Sequence, residues 1–288
     1  MAAALQILYD VVAFRMRRLE MANLAGAIAI MIVLRLPASE VAVRTLFGAL
    51  LNVLVYLNND YLDVALDGAA PDKDQDKVRF LQAHMGAARA AQYVLACALF
   101  ALALGYSPGL LVALFGGGGI CLAYSAKLKH TPGLDVVAMA AWGFVMPLCG
   151  VPLERALGLC LALQLGLFSA VFEPIQVIRD RAADAALSVR TTAVVLGVPR
   201  TLQLARALML VSAAYAALVL HPAAGGLLLL APLIPFREGR ADRYWTAVKL
   251  VCGCAWLFAC AALYTSGTSA GLLLGIDAES TLNLLRVL

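Results

Sequence analysis

The sequence predicts an all-α fold, a polytopic membrane bundle of about nine transmembrane helices, and three observations carry that expectation. The 288 residues are 63% hydrophobic and 14% charged, with a mean hydropathy of +0.87. A soluble core cannot use that much apolar surface. The apolar residues come in runs of about 20, the length that crosses a bilayer as a helix. The connections between runs are short, so residues 1–288 read as one integral membrane domain.

The elements follow in order. The opening "MAAALQILYDVVAFRMRRLE" lacks the early basic region and small-residue cleavage site of a secretory signal. It reads as an amphipathic lead-in whose Arg15, Arg17 and Arg18 anchor the first span at the cytoplasmic surface. Spans are expected near 20–36, 41–59, 87–106, 108–126, 134–153, 156–177, 201–220, 223–236 and 246–265, the eighth being short. "GLLLGI" after the ninth reads as a tail helix. Turn signals mark three joints: "LPASE" after the first span, "GYSPG" between the third and fourth, and "HPAAGG" between the seventh and eighth. The seven cysteines lie in apolar runs with no C-x-x-C pair, so they read as packing residues. "GGGG" at 116–119 lacks the Lys-Ser/Thr of a P-loop and reads as close helix packing. His84, His130 and His221 are isolated, without metal-ligand spacing.

Charge then sets topology. With the N-terminus in the cytoplasm, all of the 22 Lys and Arg except Arg35, Arg44, Arg155 and Arg286 fall inside or at the inner rim. That is a strong positive-inside bias. The basic residues are scattered between spans, a pattern of membrane topology and not of nucleic-acid binding. The same parity brings three clusters to one face: Asp60, Asp63 and Asp67 at the end of span two, Tyr124 to Lys129 after span four, and Glu173 to Asp184 after span six. "REGRADR" arrives there too.

These clusters have helical register. Asp60, Asp63 and Asp67 stand at i, i+3 and i+7, and Glu173, Gln176, Asp180 and Asp184 at i, i+3, i+7 and i+11. Stacked carboxylates beside a low-dielectric layer repel, so a cation is expected among them. Oxygen-only ligation points to Mg²⁺, which often bridges carboxylates to a phosphate group. Two acidic helices facing each other suit a diphosphate, with Lys73, Lys77, Arg79, Lys127, Lys129 and Arg179 covering the remaining phosphate charge. A diphosphate leaves readily from a carbon that can become a cation, such as that of an allylic prenyl chain, and the bundle offers that chain an apolar slot.

At this point the residues resemble a known family. "NDYLDVALD", Asn59 to Asp67, fits N-D-x-x-D-x-x-x-D, the first signature of the UbiA superfamily of intramembrane prenyltransferases. "DRAAD", Asp180 to Asp184, with the trailing "SVRTTAVVLG", is similar to the second aspartate motif, and "YSAKLK" to the Tyr-Lys element between them. The resemblance implies a nine-helix bundle with a cytoplasmic-side cavity, a prenyl diphosphate donor and Mg²⁺, in a bacterial inner membrane. It implies that Asn59, Asp60, Asp63 and Asp67 bind one metal, and Asp180 and Asp184 a second, with Glu173 extending the second site. Asp63, Asp180 and Tyr124 are the expected catalytic residues. Asn59, Lys127 or Lys129, Arg79 and Arg179 are the expected substrate contacts.

Two activities share the first step. A transferase passes the prenyl group to an aromatic or other lipophilic acceptor, whereas a terpene cyclase closes the chain on itself without an acceptor. A transferase needs a polar acceptor pocket, for which Glu20 and Asn23 are placed early in span one. A cyclase needs aromatic faces, for which Phe47, Tyr56, Trp142, Phe144, Phe168 and Phe172 are candidates. The loop after the first motif departs from the family's Arg-Pro pair, since Arg79 is followed by Phe80.

Overall fold

The computed structural model describes residues 2–17, 21–69 and 74–279, and these are helical, without a named strand. Arg18, Glu20, Lys73 and Arg286 lie outside the described residues. The helices are α1 (Ala2–Arg17), α2 (Ala22–Val33), α3 (Ala38–Ala69), α4 (Gln75–Ala83), α5 (Met85–Tyr106), α6 (Pro108–Val112), α7 (Gly118–Ala126), α8 (Leu134–Val145), α9 (Ala156–Ala186), α10 (Thr192–Tyr215), α11 (Pro222–Leu228) and α12 (Ala241–Ser266). A π-helical segment, Ala113–Gly117, joins α6 to α7.

Among the described residues, six helices are long and apolar enough to cross a membrane. Three shorter apolar helices, Ala22–Val33, Leu134–Gly150 and Pro222–Leu233, occupy the places of the first, fifth and eighth expected spans. Length and composition alone support six candidate crossings among the described residues, and they do not by themselves confirm the expected nine. The protein is a multi-pass membrane protein.

Two helices organise the core. Leu157, Leu161, Leu165, Phe168, Val171 and Ile175 of α9 recur every three or four residues and are buried against α2, α10, α11 and α12. Phe47, Leu51 and Val55 of α3 are buried against α5, α6, α7 and Trp142 of α8. In lipid, packing gains replace the hydrophobic drive between helices, so small residues at the contacts matter. A Cβ on Gly166 would stand 2.9 Å from Phe144 Cβ and 3.0 Å from the Ala140 carbonyl, so α9 lies directly on α8. The "GGGG" run divides: Gly116 and Gly117 are pressed against Val145 and Met146, while Gly118 and Gly119 face open space.

The joints fall where the turn residues put them. Arg35 takes a left-handed φ of 52° just before Pro37. Ser107 and His221 are extended, and each is followed by a proline at the first turn of the next helix. The lead-in is helical as expected, with Ile7 and Val11 buried against Leu57, Leu81, Ala88 and Ala91. The expected tail helix at "GLLLGI" is absent; that segment is irregular. The backbone N–H groups of Ala270, Leu272 and Leu273 donate to the carbonyls of Leu220, Ala217 and Leu218, which belong to the π-helical end of α10. Carbonyls left by that end thus serve as backbone partners for the irregular tail.

Candidate active site at the ends of α3 and α9

α3 and α9 hold 32 and 31 residues. At 1.5 Å per residue each is about 46–48 Å long, against an apolar layer of about 30 Å. The excess at both C-terminal ends carries the aspartates. Helix C-termini bear partial negative charge, so these carboxylates add to a field that already calls for cations. The two ends meet: Asp63, Asp67, Asp180 and Asp184 line one cavity of about 680 Å³, with Tyr124, Lys129, Gln176, Arg179 and Thr191. A recess of about 240 Å³ beside it adds Arg15, Asn59, Asp60 and Lys77. An apolar chamber of about 280 Å³ shares Tyr124, Gln176 and Arg179 with both; Tyr56, Trp142, Phe172 and Trp245 give it aromatic walls, and Asn23 and Lys249 polar ones.

Cations from four elements sit on the carboxylates. Lys129, from the turn after α7, pairs with Asp63. Arg15 of α1 and Lys77 of α4 reach the two oxygens of Asp60 at 2.7 and 2.6 Å. Arg179 grips its neighbour Asp180 with two nitrogens, at 2.8 and 3.0 Å. Neutral donors fix the rest. The Asn59 amide donates to Asp63 Oδ2 at 2.9 Å and to Ser125 Oγ at 3.0 Å. The Tyr124 hydroxyl donates to Glu173 Oε1 at 2.8 Å, and Thr191 Oγ1 to Asp184 Oδ2 at 3.3 Å.

Several expected contacts lie elsewhere. Arg79 has a side chain 72% exposed, pairs with Asp76 on the outer face of α4 and lines none of the three cavities. Asp76, three residues earlier, takes the charge that the cavity was expected to hold. Lys127 is exposed and borders none of these cavities, leaving Lys129 as the lysine that Tyr124 brings with it. Glu173 is 3% exposed and engaged by Tyr124. It lies in line with Asp180, but seven residues are about 10 Å along a helix, too far to share one ion. Asp60 carries two cations, one on each oxygen, whereas Asp63 and Asp180 are each engaged by one. Of the aromatics, Tyr56, Trp142 and Phe172 border the chamber, whereas Phe47, Phe144 and Phe168 pack in the core.

Sequence reasoning missed four residues. Arg15 was expected at the membrane surface but turns inward. Trp245 and Lys249, on the one face of α12 that meets the cavities, carry no motif signal. Asp135 is fully buried and accepts from Thr192 N at 2.7 Å and from Thr192 Oγ1. It ties the start of α8 to the start of α10 and so sets Thr191 beside Asp184. The signal was present in "PGLD", an acidic residue opening an apolar run.

The donors facing the cavity are oxygen-rich, with no His or Cys among its lining residues. Hard oxygen donors fit Mg²⁺. Among the described residues no three His, Cys, Asp or Glu are close enough to cage an ion.

A profile of the UbiA prenyltransferase family matches residues 23–240. The chain belongs to the UbiA prenyltransferase family. Solved UbiA homologues carry the same fold. One, a UbiA homolog from Archaeoglobus fulgidus bound to DMAPP and Mg²⁺, is 14% identical with a TM-score of 0.64. The same homolog bound to GPP and Mg²⁺ superposes at 0.59 with 16% identity. A digeranylgeranylglyceryl phosphate synthase structure, 12% identical, gives 0.69. Each comparison covers 91% of this chain and 99% of the other. No curated protein matches the chain. The UbiA match begins at Asn23, so α1 lies ahead of it, and ends at Arg240, so α12 lies beyond it.

Proposed function

We propose that the chain, read as one unit over residues 1–288, is a Mg²⁺-dependent prenyltransferase. It ionises an allylic prenyl diphosphate and passes the prenyl group to a lipophilic acceptor within the membrane. The observation that carries this reading is the junction of an acidic, cation-ringed cavity with an aromatic-walled chamber. Asp63, Asp67, Asp180 and Asp184 would hold the metal, which when bound supplies Lewis-acid stabilisation of the departing diphosphate. Lys129 and Arg179 face the same cavity and hold phosphate oxygens as negative charge builds on them. Asn59 and Ser125 orient Asp63. Tyr124, locked on Glu173, closes the floor between diphosphate and prenyl chain. The positive-inside count supports a cytoplasmic placement of this face and of the N-terminus, in what we read as a bacterial inner membrane.

Asn23 and Lys249 favour transfer, because an acceptor has polar groups to orient and a hydrocarbon chain has none. The aromatic walls favour the second reading, a terpene cyclase, because ring faces steady a migrating cation. Incubating the purified protein with Mg²⁺ and C10, C15 and C20 prenyl diphosphates decides between them. Turnover that requires an aromatic or other lipophilic acceptor supports transfer. A cyclic product without acceptor makes it a cyclase, and intact diphosphate in every mixture rejects both.

A further inference from the structure

We propose that Arg15, carried by the helix ahead of the family match, is a diphosphate-binding residue, and that Asp60 positions it instead of taking a metal. The inference rests on the prenyl diphosphate reading above. Asp60 shares its motif with Asp63 and Asp67 but not their surroundings. It is 7% exposed, with Arg15 Nη2 at 2.7 Å from one oxygen and Lys77 Nζ at 2.6 Å from the other. Each oxygen of the carboxylate thus carries its own cation. A divalent ion placed on Asp60 would meet two like charges at hydrogen-bond range in poorly screening surroundings. An anion meets those same two charges with the opposite sign. Asp63, by contrast, carries one cation and borders the large cavity with Asp67, Asp180 and Asp184, whereas Asp60 borders the recess.

Arg15 is built for that anion. Its guanidinium lies 4.5 Å from the Tyr56 ring centroid and 5.3 Å from that of Phe14, which fixes the plane of a five-donor fork. It borders both the recess shared with Asp63 and Asp180 and the aromatic chamber. That junction is where the diphosphate of a bound donor meets the first carbon of its chain. As the C–O bond breaks, its electron pair passes to the diphosphate oxygen, and Arg15 is placed to stabilise the charge. Lys77, over the Phe14 ring at 4.5 Å, flanks it.

The test is calorimetric binding of inorganic pyrophosphate to the full chain in nanodiscs, at several Mg²⁺ concentrations up to saturation. Arg15→Ala and Asp60→Asn should each weaken binding about tenfold or more, the worth of a charge-assisted contact. The loss should persist at saturating Mg²⁺. Asp63→Asn should instead show a loss that shrinks as Mg²⁺ rises, since a weakened metal site is refilled by mass action. Arg15→Lys should recover part of the affinity, and melting temperatures identify any variant that fails to fold. Wild-type affinity in Arg15→Ala, or an Asp60→Asn defect that Mg²⁺ repairs as it repairs Asp63→Asn, overturns the inference. Absence of pyrophosphate binding by the wild type overturns the function reading itself.

Discussion

A carboxylate in the first motif is worth what surrounds it, and that separates side chains which share one helical register. Asp63 and Asp180 border the common cavity, so Asp63→Ala or Asp180→Ala should lower turnover at least ~10²-fold, as expected for loss of charge stabilisation at a reacting group. Steady-state assays with the donor that the wild type accepts would check this, and near-normal rates in either would remove that residue from the site. Arg79 provides the contrast. It looked like a phosphate ligand in the loop, yet its partner is Asp76 and its side chain is in solvent. Arg79→Ala should leave turnover within about twofold of wild type and stability within ~0.5 kcal/mol, the range of ordinary surface changes. A large rate loss would mean that α4 moves Arg79 into the site during turnover.

At the scale of elements, the site depends on how closely α8 and α9 approach. Gly166 lies two turns before Glu173, and a Cβ there meets Phe144 Cβ and the Ala140 carbonyl, atoms held by α8 itself. Gly166→Val should therefore cost about 1–3 kcal/mol as overpacking, read as a lower melting temperature in nanodiscs. An unchanged melting temperature would show that the two helices are not locked at this contact. Gly197 is different. Its φ of 76° with ψ of 164° breaks α10 into two pieces, a conformation that belongs to glycine. Such features mark the limit of what the sequence shows. Helix positions, the three turn joints and the two aspartate rows were legible, because apolar length, proline and i, i+3, i+7 spacing are local signals. The inward turn of Arg15, the burial of Asp135 and the chamber wall from α12 were not. Each depends on contacts between elements far apart in the chain, which no local spacing encodes. Lys127 and Lys129 could not be told apart for the same reason: the turn Leu128–His130 decides which of them reaches Asp63.

The whole molecule joins two environments, lipid around the chamber and water at the aspartate face, and both are testable. Chelation by EDTA should abolish turnover and Mg²⁺ restore it; metal-independent turnover would reject the mechanism. Orientation follows from where charge can cross. The connections that carry Lys77, Lys129 and "REGRADR" lie at the aspartate face, while Arg35 and Arg44 lie toward the opposite end of α2 and α3. Arg44 is buried there, paired with Glu40 and 3.3 Å from the Cys149 carbonyl, so it adds little to the charge that a loop presents to the insertion machinery. The excess of basic residues thus sits on the site's own side and should hold that side in the cytoplasm. Gln75→Cys and Ser39→Cys, made in a chain cleared of its native cysteines, place one thiol at the start of α4, on the aspartate face, and one at the start of α3. A membrane-impermeant maleimide should label Ser39→Cys in intact cells and reach Gln75→Cys once the membrane is opened. Labelling of Gln75→Cys from outside would invert the topology and put the diphosphate site beyond the cytoplasmic supply of its substrate.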